Sequence, residues 1–107
     1  MTVATTPTQA CFEAWINCEE LLVTLAEART TLSKKITKVV DECAAICMGT
    51  FHALKSSSQN ASRYALLCIG ICEECAEICD ELNGEAFRSC AQVCRRCSHT
   101  MSLMALN

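Results

Sequence analysis

Cysteines recur in this chain at the spacing of a helix face, Cys68-x3-Cys72-x2-Cys75-x3-Cys79 followed by Cys90-x3-Cys94-x2-Cys97. At 100° per residue the first four sulfurs fall within an arc of about 60°, so they form one narrow stripe on one helix. The second run repeats the rule, and Met101 and Met104 extend it by further steps of four and three. Cys43 and Cys47 share a stripe with Ile36, Val40, Thr50 and Leu54, and Cys11 and Cys18 share one with Trp15, Leu22 and Leu25. The opposite faces carry Glu73, Glu74, Glu77, Asp80, Arg88, Arg95 and Arg96, so the sulfurs turn inward.

One proline and three glycines punctuate the whole chain, and no segment alternates with a period of two. Helices are predicted over about residues 8–29, 32–55, 61–82 and 85–105. Their boundaries come from Pro7 at an early helical position, a break near Thr30 to Ser33, the loop Ser56 to Asn60 with Asn60 as N-cap, and Asn83-Gly84 beyond the third helix. Four helices of similar length with short connections imply an all-α, antiparallel up-down-up-down four-helix bundle. With 107 residues, the chain 1–107 is expected to be a single domain. Antiparallel stacking at 1.5 Å rise per residue predicts layers. Cys18, Cys47, Cys68 and Cys97 come first, then Cys43, Cys72 and Cys94, then Cys75 and Cys90, with Cys79 furthest along. Cys11, Leu54, Met101 and Met104 fall at one end, and Leu22, Leu25, Ile36, Val40, Leu82 and Phe87 close the other.

Eleven cysteines is an odd count, unlike the paired cysteines of a secreted disulfide scaffold. The first charged residue is Glu13, and the Thr-rich start lacks the basic and apolar regions of an export signal. A cytoplasmic location is expected. A formal charge of −3 provides no footprint for nucleic acid or an anionic membrane, and no uncharged stretch approaches a membrane span.

One or two inward cysteines would be ordinary core residues, since Cys packs as a small hydrophobe. A core built for packing alone would use Leu and Ile at the remaining positions, because they bury more area and do not oxidise. Soft thiolates select Cu(I), Zn(II) or iron–sulfur clusters. Cys72-x2-Cys75 and Cys94-x2-Cys97, eighteen residues apart, match zinc-ribbon spacing. Each pair lies within a helical stripe without a glycine-rich turn, however, and one zinc site leaves the other thiols without a role. The Cys68 to Cys79 run departs from the ferredoxin pattern, and no proline follows it. Cu(I) tolerates low coordination, so two sulfurs at i,i+3 or i,i+4, or one from each of two helices, make a site. One Cu⁺ beside each thiolate also leaves little net charge in the core. The ligand candidates are Cys11, Cys18, Cys43, Cys47, Cys68, Cys72, Cys75, Cys79, Cys90, Cys94 and Cys97, with Met101 and Met104 as weaker thioether ligands at the mouth.

The expected function is non-enzymatic storage of multiple Cu(I) ions. The alternatives are a zinc-binding or purely structural bundle and, from another class, a thiol–disulfide oxidoreductase. Both CxxC pairs sit inside helices rather than at a helix N-terminus, which removes the usual activation of an attacking thiol. His52 and His99 fall about 180° from Cys43 and Cys90 respectively, outside the core. Trp15, Phe51, Tyr64 and Phe87 are read as packing or subunit contacts.

Three segments, Asp41-Glu42-Cys43-Ala44-Ala45-Ile46-Cys47, Cys72-Glu73-Glu74-Cys75-Ala76-Glu77-Ile78-Cys79 and Cys90-Ala91-Gln92-Val93-Cys94-Arg95-Arg96-Cys97, resemble the four-helix-bundle copper storage proteins. The resemblance implies a homo-oligomer, commonly a tetramer, that sequesters many Cu(I) ions and exchanges them with a copper donor or acceptor. By position it carries the ligand role to Cys43, Cys47, Cys68, Cys72, Cys75, Cys79, Cys90, Cys94 and Cys97. Members usually have more cysteines in the first helix, where this chain has Cys11 and Cys18, and often another where it has Met101. A lower capacity is expected.

Overall fold

The computed structural model describes residues 5–27 and 34–105. It contains α1 (Pro7–Glu27), α2 (Lys34–Lys55), α3 (Ala61–Asp80) and α4 (Glu85–Ala105). The predicted end of the first helix at 29, the start of the second at 32 and the break between them lie outside the described residues.

Thr6 caps α1: its Oγ1 accepts the Gln9 N–H at 3.1 Å, and Pro7 follows at the first helical position, where its missing N–H costs nothing. α2 ends in a left-handed residue that is not glycine. Ser57 has φ 53°, the Ser58 N–H reaches the Ala53 carbonyl at 2.9 Å, and the Ser57 N–H reaches the Leu54 carbonyl at 3.3 Å. This is the paired bonding of a Schellman end. Asn60 precedes α3 as predicted but makes no side-chain cap. Its own N–H is instead bonded to Ser58 Oγ at 3.1 Å, which holds the loop. α3 stops at Asp80, two residues before the predicted end. Glu81 and Leu82 donate to the Ile78 and Cys79 carbonyls at 3.2 and 3.1 Å, a tightened last turn, before Gly84 turns the chain at φ 135°.

Successive helices pack in a ring, α1 against α2 and α4, and α3 against α2 and α4. Contacts between helices run in opposite directions along each pair, so the bundle is antiparallel. Asn17 meets Ser89 and Glu13 meets Arg96 between α1 and α4, while Cys47 meets Cys68 and Cys43 meets Cys72 between α2 and α3. Ser98 donates to Glu73 at 2.9 Å, and Arg95 pairs with Asp80, joining α3 to α4.

The shared core holds every cysteine together with Ala10, Ala14, Leu21, Val39, Val40, Ala44, Ala65, Ile71, Ala76, Ala91 and Met101. α1 is turned relative to its predicted stripe: Ala10, Ala14 and Leu21 are buried, whereas Trp15, Leu22 and Leu25 are only partly covered. Two alanines on the face beside Cys11 and Cys18 leave room for a neighbouring helix to come close. Phe12, Trp15, Phe51 and His52 gather on the outer α1–α2 seam, with Phe12 and Phe51 ring centres 5.3 Å apart. Trp15 and Phe51, expected as packing or subunit contacts, belong to one aromatic group within the chain. Among the described residues no helix is long and apolar enough to cross a membrane.

Candidate metal centre

All eleven cysteines are free thiols, and each is 0% exposed. They form three groups in which the sulfurs lie within 4.8 Å of one another: Cys47, Cys68, Cys72 and Cys97; Cys18, Cys43, Cys75 and Cys94; and Cys75, Cys79 and Cys90. The groups join into one column. Cys75 belongs to two of them, and Cys43 lies 4.0 Å from Cys47 and 3.9 Å from Cys72 across the gap between the first two. Sulfurs on different helices come within 3.5 Å at Cys47–Cys72 and at Cys68–Cys97.

The predicted layering changes at Cys18 on α1 and along α3. Cys18 sits one layer further along than expected, with Cys43 and Cys94, and lies 3.7 Å from Cys90 rather than level with Cys97. Helical spacing gives a side chain's direction but not the axial offset between helices. Cys18 stands as far before Glu27 as Cys43 stands after Lys34, so the offset follows the two helix ends. The Asn17–Ser89 and Glu13–Arg96 contacts hold α1 and α4 in the same register. Cys72 likewise groups with Cys47, Cys68 and Cys97, because Cys68 and Cys72, one turn apart on α3 and 3.9 Å from each other, both lie against Cys47 at 3.8 and 3.5 Å; Cys75 in turn joins Cys18, Cys43 and Cys94 as well as Cys90, and Cys79 stands with Cys75 and Cys90.

Beyond these groups the core changes character at both ends. At one, Cys11 donates to the Thr8 carbonyl at 3.3 Å and stands outside the three groups. Met101 is fully buried and Met104 partly buried there, along the stripe that carries Cys97. Thr50 is a buried hydroxyl whose Oγ1 lies 2.7 Å from the Ile46 carbonyl and 3.2 Å from that of Tyr64, so it has partners inside the bundle. At the other end Val40 is buried and Leu22, Leu25 and Phe87 pack over the core. His52 and His99 are exposed, away from the sulfurs. Sequence reasoning missed Ala10, Ala14 and Leu21 as inward residues; the signal was there, since they continue the spacing of Cys18 by steps of three and four.

Burial in an apolar interior disfavours a thiolate, and it pushes the isolated Cys11 thiol up to about 12. Within the groups, hydrogen bonding between sulfurs divides the thiols into two kinds. Cys68 is shifted well down by donors at Cys47, Cys72 and Cys97, and Cys75 by donors at Cys18, Cys43, Cys79 and Cys90. Cys94 is shifted down by Cys18, Cys43 and Cys72. The donors shift the other way: Cys72 rises because its proton is shared with Cys43, Cys47, Cys68 and Cys94, and Cys18 rises through Cys43, Cys75, Cys90 and Cys94. In each four-thiol group the sulfurs lie close enough for an S–H of one to be donated to a thiolate at its neighbour, and either member of a pair can donate.

A four-helix bundle with a continuous column of reduced thiols, linked through a shared cysteine, has the donor set of a protein that binds several soft metal ions. The sequence matches the copper storage protein (Csp) family over residues 2–105, and the chain belongs to that family. Among solved structures it is similar to "Cu(I)-bound Copper Storage Protein BsCsp3", with a TM-score of 0.86 and 24% identity over 92% of this chain and 94% of that one, a likeness that shows the shared fold. No curated protein matches the sequence.

Proposed function

We propose that the protein stores multiple Cu(I) ions as thiolate complexes inside its bundle, without catalysing a reaction. The observation that carries this reading is the linkage of the thiol groups through Cys75 and the Cys43 contacts into one column. Separate four-sulfur sites would suit isolated tetrahedral ions, whereas a shared sulfur suits ions bridged by thiolates. Each Cu⁺ displaces a thiol proton, RSH + Cu⁺ giving RS–Cu + H⁺, so the core exchanges protons for metal and gains little charge.

In this reading Cys18, Cys43, Cys47, Cys68, Cys72, Cys75, Cys79, Cys90, Cys94 and Cys97 hold the cargo. Cys11 adds a thiolate ligand at one end, and Met101 and Met104 beside it pass Cu(I) between the column and a copper donor or acceptor, because a thioether binds Cu(I) weakly enough to release it. Buried thiols with no disulfide among them fit a reducing compartment, which favours the cytoplasm. The family supports a homo-oligomer, with a tetramer implied by resemblance.

The test is an anaerobic Cu(I) titration of reduced protein against a competing chelator, with free thiols counted in parallel. Saturation at several Cu(I) per chain with thiols protected in step is expected; one ion or none would overturn the store. Zinc is the second reading, favoured by the two groups of four mutually close sulfurs. It predicts a few tightly held zinc ions and little Cu(I) capacity. Met101→Leu with Met104→Leu is expected to slow copper uptake or removal several-fold at unchanged capacity, measured by stopped-flow transfer to a chelator; equal rates would remove both residues from the path.

A further inference from the structure

α3 carries two faces of opposite purpose. The inner one is the cysteine stripe; the outer one holds Arg63, Leu66, Leu67, Gly70 and Glu74, which at 100° per residue share an arc of about 100° directed away from the bundle. Leu66 is 64% and Leu67 57% exposed, the highest values among the large hydrophobic side chains described. Two neighbouring leucines at this exposure contribute nothing to the core.

Gly70 lies beside them, also exposed. Glycine in mid-helix weakens a helix relative to alanine, so its presence calls for a reason. Gly49 has one inside the chain: a Cβ there would stand 2.6 Å from the Tyr64 ring. At Gly70 a Cβ would meet no atom within 4 Å, so nothing in this chain requires its absence. A bare backbone on an exposed face does allow another helix to approach closely.

The charges on this face are unpaired. Arg88, Arg95 and Arg96 each pair with a carboxylate, whereas among the described residues neither Arg63 nor Glu74 makes an ion pair. Their positions are related: Arg63 and Glu74 are equidistant from the midpoint between Leu67 and Gly70. A helix turned end for end about that midpoint therefore sets each Arg63 against the other Glu74, and each Leu67 over the other Gly70. Such a surface is complementary to itself, the requirement of a two-fold contact in which both copies use one patch.

We infer that the outer face of α3 is a contact between two copies of this chain, packed antiparallel about a two-fold axis between Leu67 and Gly70. The surface supplies the homo-oligomer proposed above with one of its interfaces, and it depends on that reading for the identity of its partner. The cation of one copy neutralises the acid of the other, the leucine fills the groove left by glycine, and both leucine pairs leave water. Glu77 of one copy falls opposite Asn60 of the other in this register, so the remaining acid on the face meets no like charge.

The test is sedimentation velocity on the full chain, reduced and metal-free, across the micromolar range, for the wild type and four variants. Arg63→Glu and Glu74→Arg each set like charges against one another and are expected to weaken this contact about tenfold or more, lowering the assembled mass by at least half. The double variant Arg63→Glu/Glu74→Arg restores opposite charges and is expected to regain the wild-type mass. Gly70→Gln blocks the close approach while favouring the helix, so its expected dissociation is not a failure to fold; circular dichroism checks that each variant keeps its helices. A monomeric wild type, single variants that assemble as the wild type does, or a double variant that stays dissociated would each overturn the contact. Cu(I) titration of the same samples separates this from the storage reading, since none of these positions touches a thiol. Unchanged capacity with altered mass is expected, whereas a wild type that assembles this way but takes no copper would sink storage and leave the interface standing.

Discussion

The two helical hairpins of this bundle solve different problems with the same fold. In α3 and α4 sulfur dominates the inward face, with seven cysteines and Met101 against Ala65, Ile71, Ala76 and Ala91. In α1 and α2 the four cysteines alternate with Ala10, Ala14, Leu21, Val39, Val40, Ala44 and Thr50. Cysteine buries less apolar area than leucine, so the first hairpin, with its hydrocarbon and its aromatic seam, supplies packing that the second lacks. The division is unequal rather than complete: of the ten thiols in the three groups, seven come from the second hairpin and three, Cys18, Cys43 and Cys47, from the first. All three thiol groups draw on α3, through Cys68 and Cys72, Cys75, or Cys75 and Cys79, but only one draws on α1.

The largest expected effect breaks that asymmetry at its centre. Replacing Cys68, Cys72, Cys75 and Cys79 together by Ser removes members of every group and should abolish most Cu(I) capacity. Replacing Cys11 and Cys18 by Ser should leave most of it, as read by chelator-competed titration. Equal losses would mean that the hairpins share the cargo evenly.

Stability should show the reverse preference. Leu21→Ala empties a fully packed position in α1 and is expected to cost the metal-free protein ~2–5 kcal/mol in urea unfolding. Copper loading should recover part of the loss, since a ligand bound only by the folded state stabilises it. A variant as stable as the parent would remove α1 from its packing role.

How far this was legible in the sequence depends on which coordinate is asked for. The helical direction of each cysteine followed from spacing alone, which is why every cysteine predicted to face inward does so. Axial position did not follow, because it depends on the offset between helices; Cys18 moved a full layer, and Cys72 changed groups, for that reason. Helix ends were legible where a polar loop marked them, as at Ser56 to Asn60 between α2 and α3. They were less so at α3, where the tightened turn at Glu81 and Leu82 ends the helix before Asn83-Gly84. The outward His52 and His99 were readable from angle, but the gathering of Phe12, Trp15, Phe51 and His52 needed two helices in register.

A smaller effect should appear on raising the pH of the metal-free protein. The Cys11 thiol is raised from 9.0 to about 12 in the fold, so the folded state keeps its proton where the unfolded chain loses it. Its contribution to stability is complete below about pH 9 and is lost as the pH climbs towards 12. Urea midpoints should fall across that window, and less so in Cys11→Ala; an identical fall in both would locate the alkaline sensitivity elsewhere. The smallest expected change is at the seam between the hairpins. Arg96→Ala removes an exposed ion pair with Glu13 at 3.2 Å and should cost no more than about 1 kcal/mol. A larger loss in urea unfolding would show that this pair, rather than the core, sets the register of α1 on α4.

Crystallising the copper-loaded protein and mapping anomalous scattering at the copper absorption edge locates the metal directly. Several copper positions are expected along the axis of the bundle, between Cys18, Cys43, Cys75 and Cys94, between Cys47, Cys68, Cys72 and Cys97, and beside Cys79 and Cys90. Copper confined to surface groups such as His52 and His99, with no peak among the core sulfurs, would contradict storage in the core.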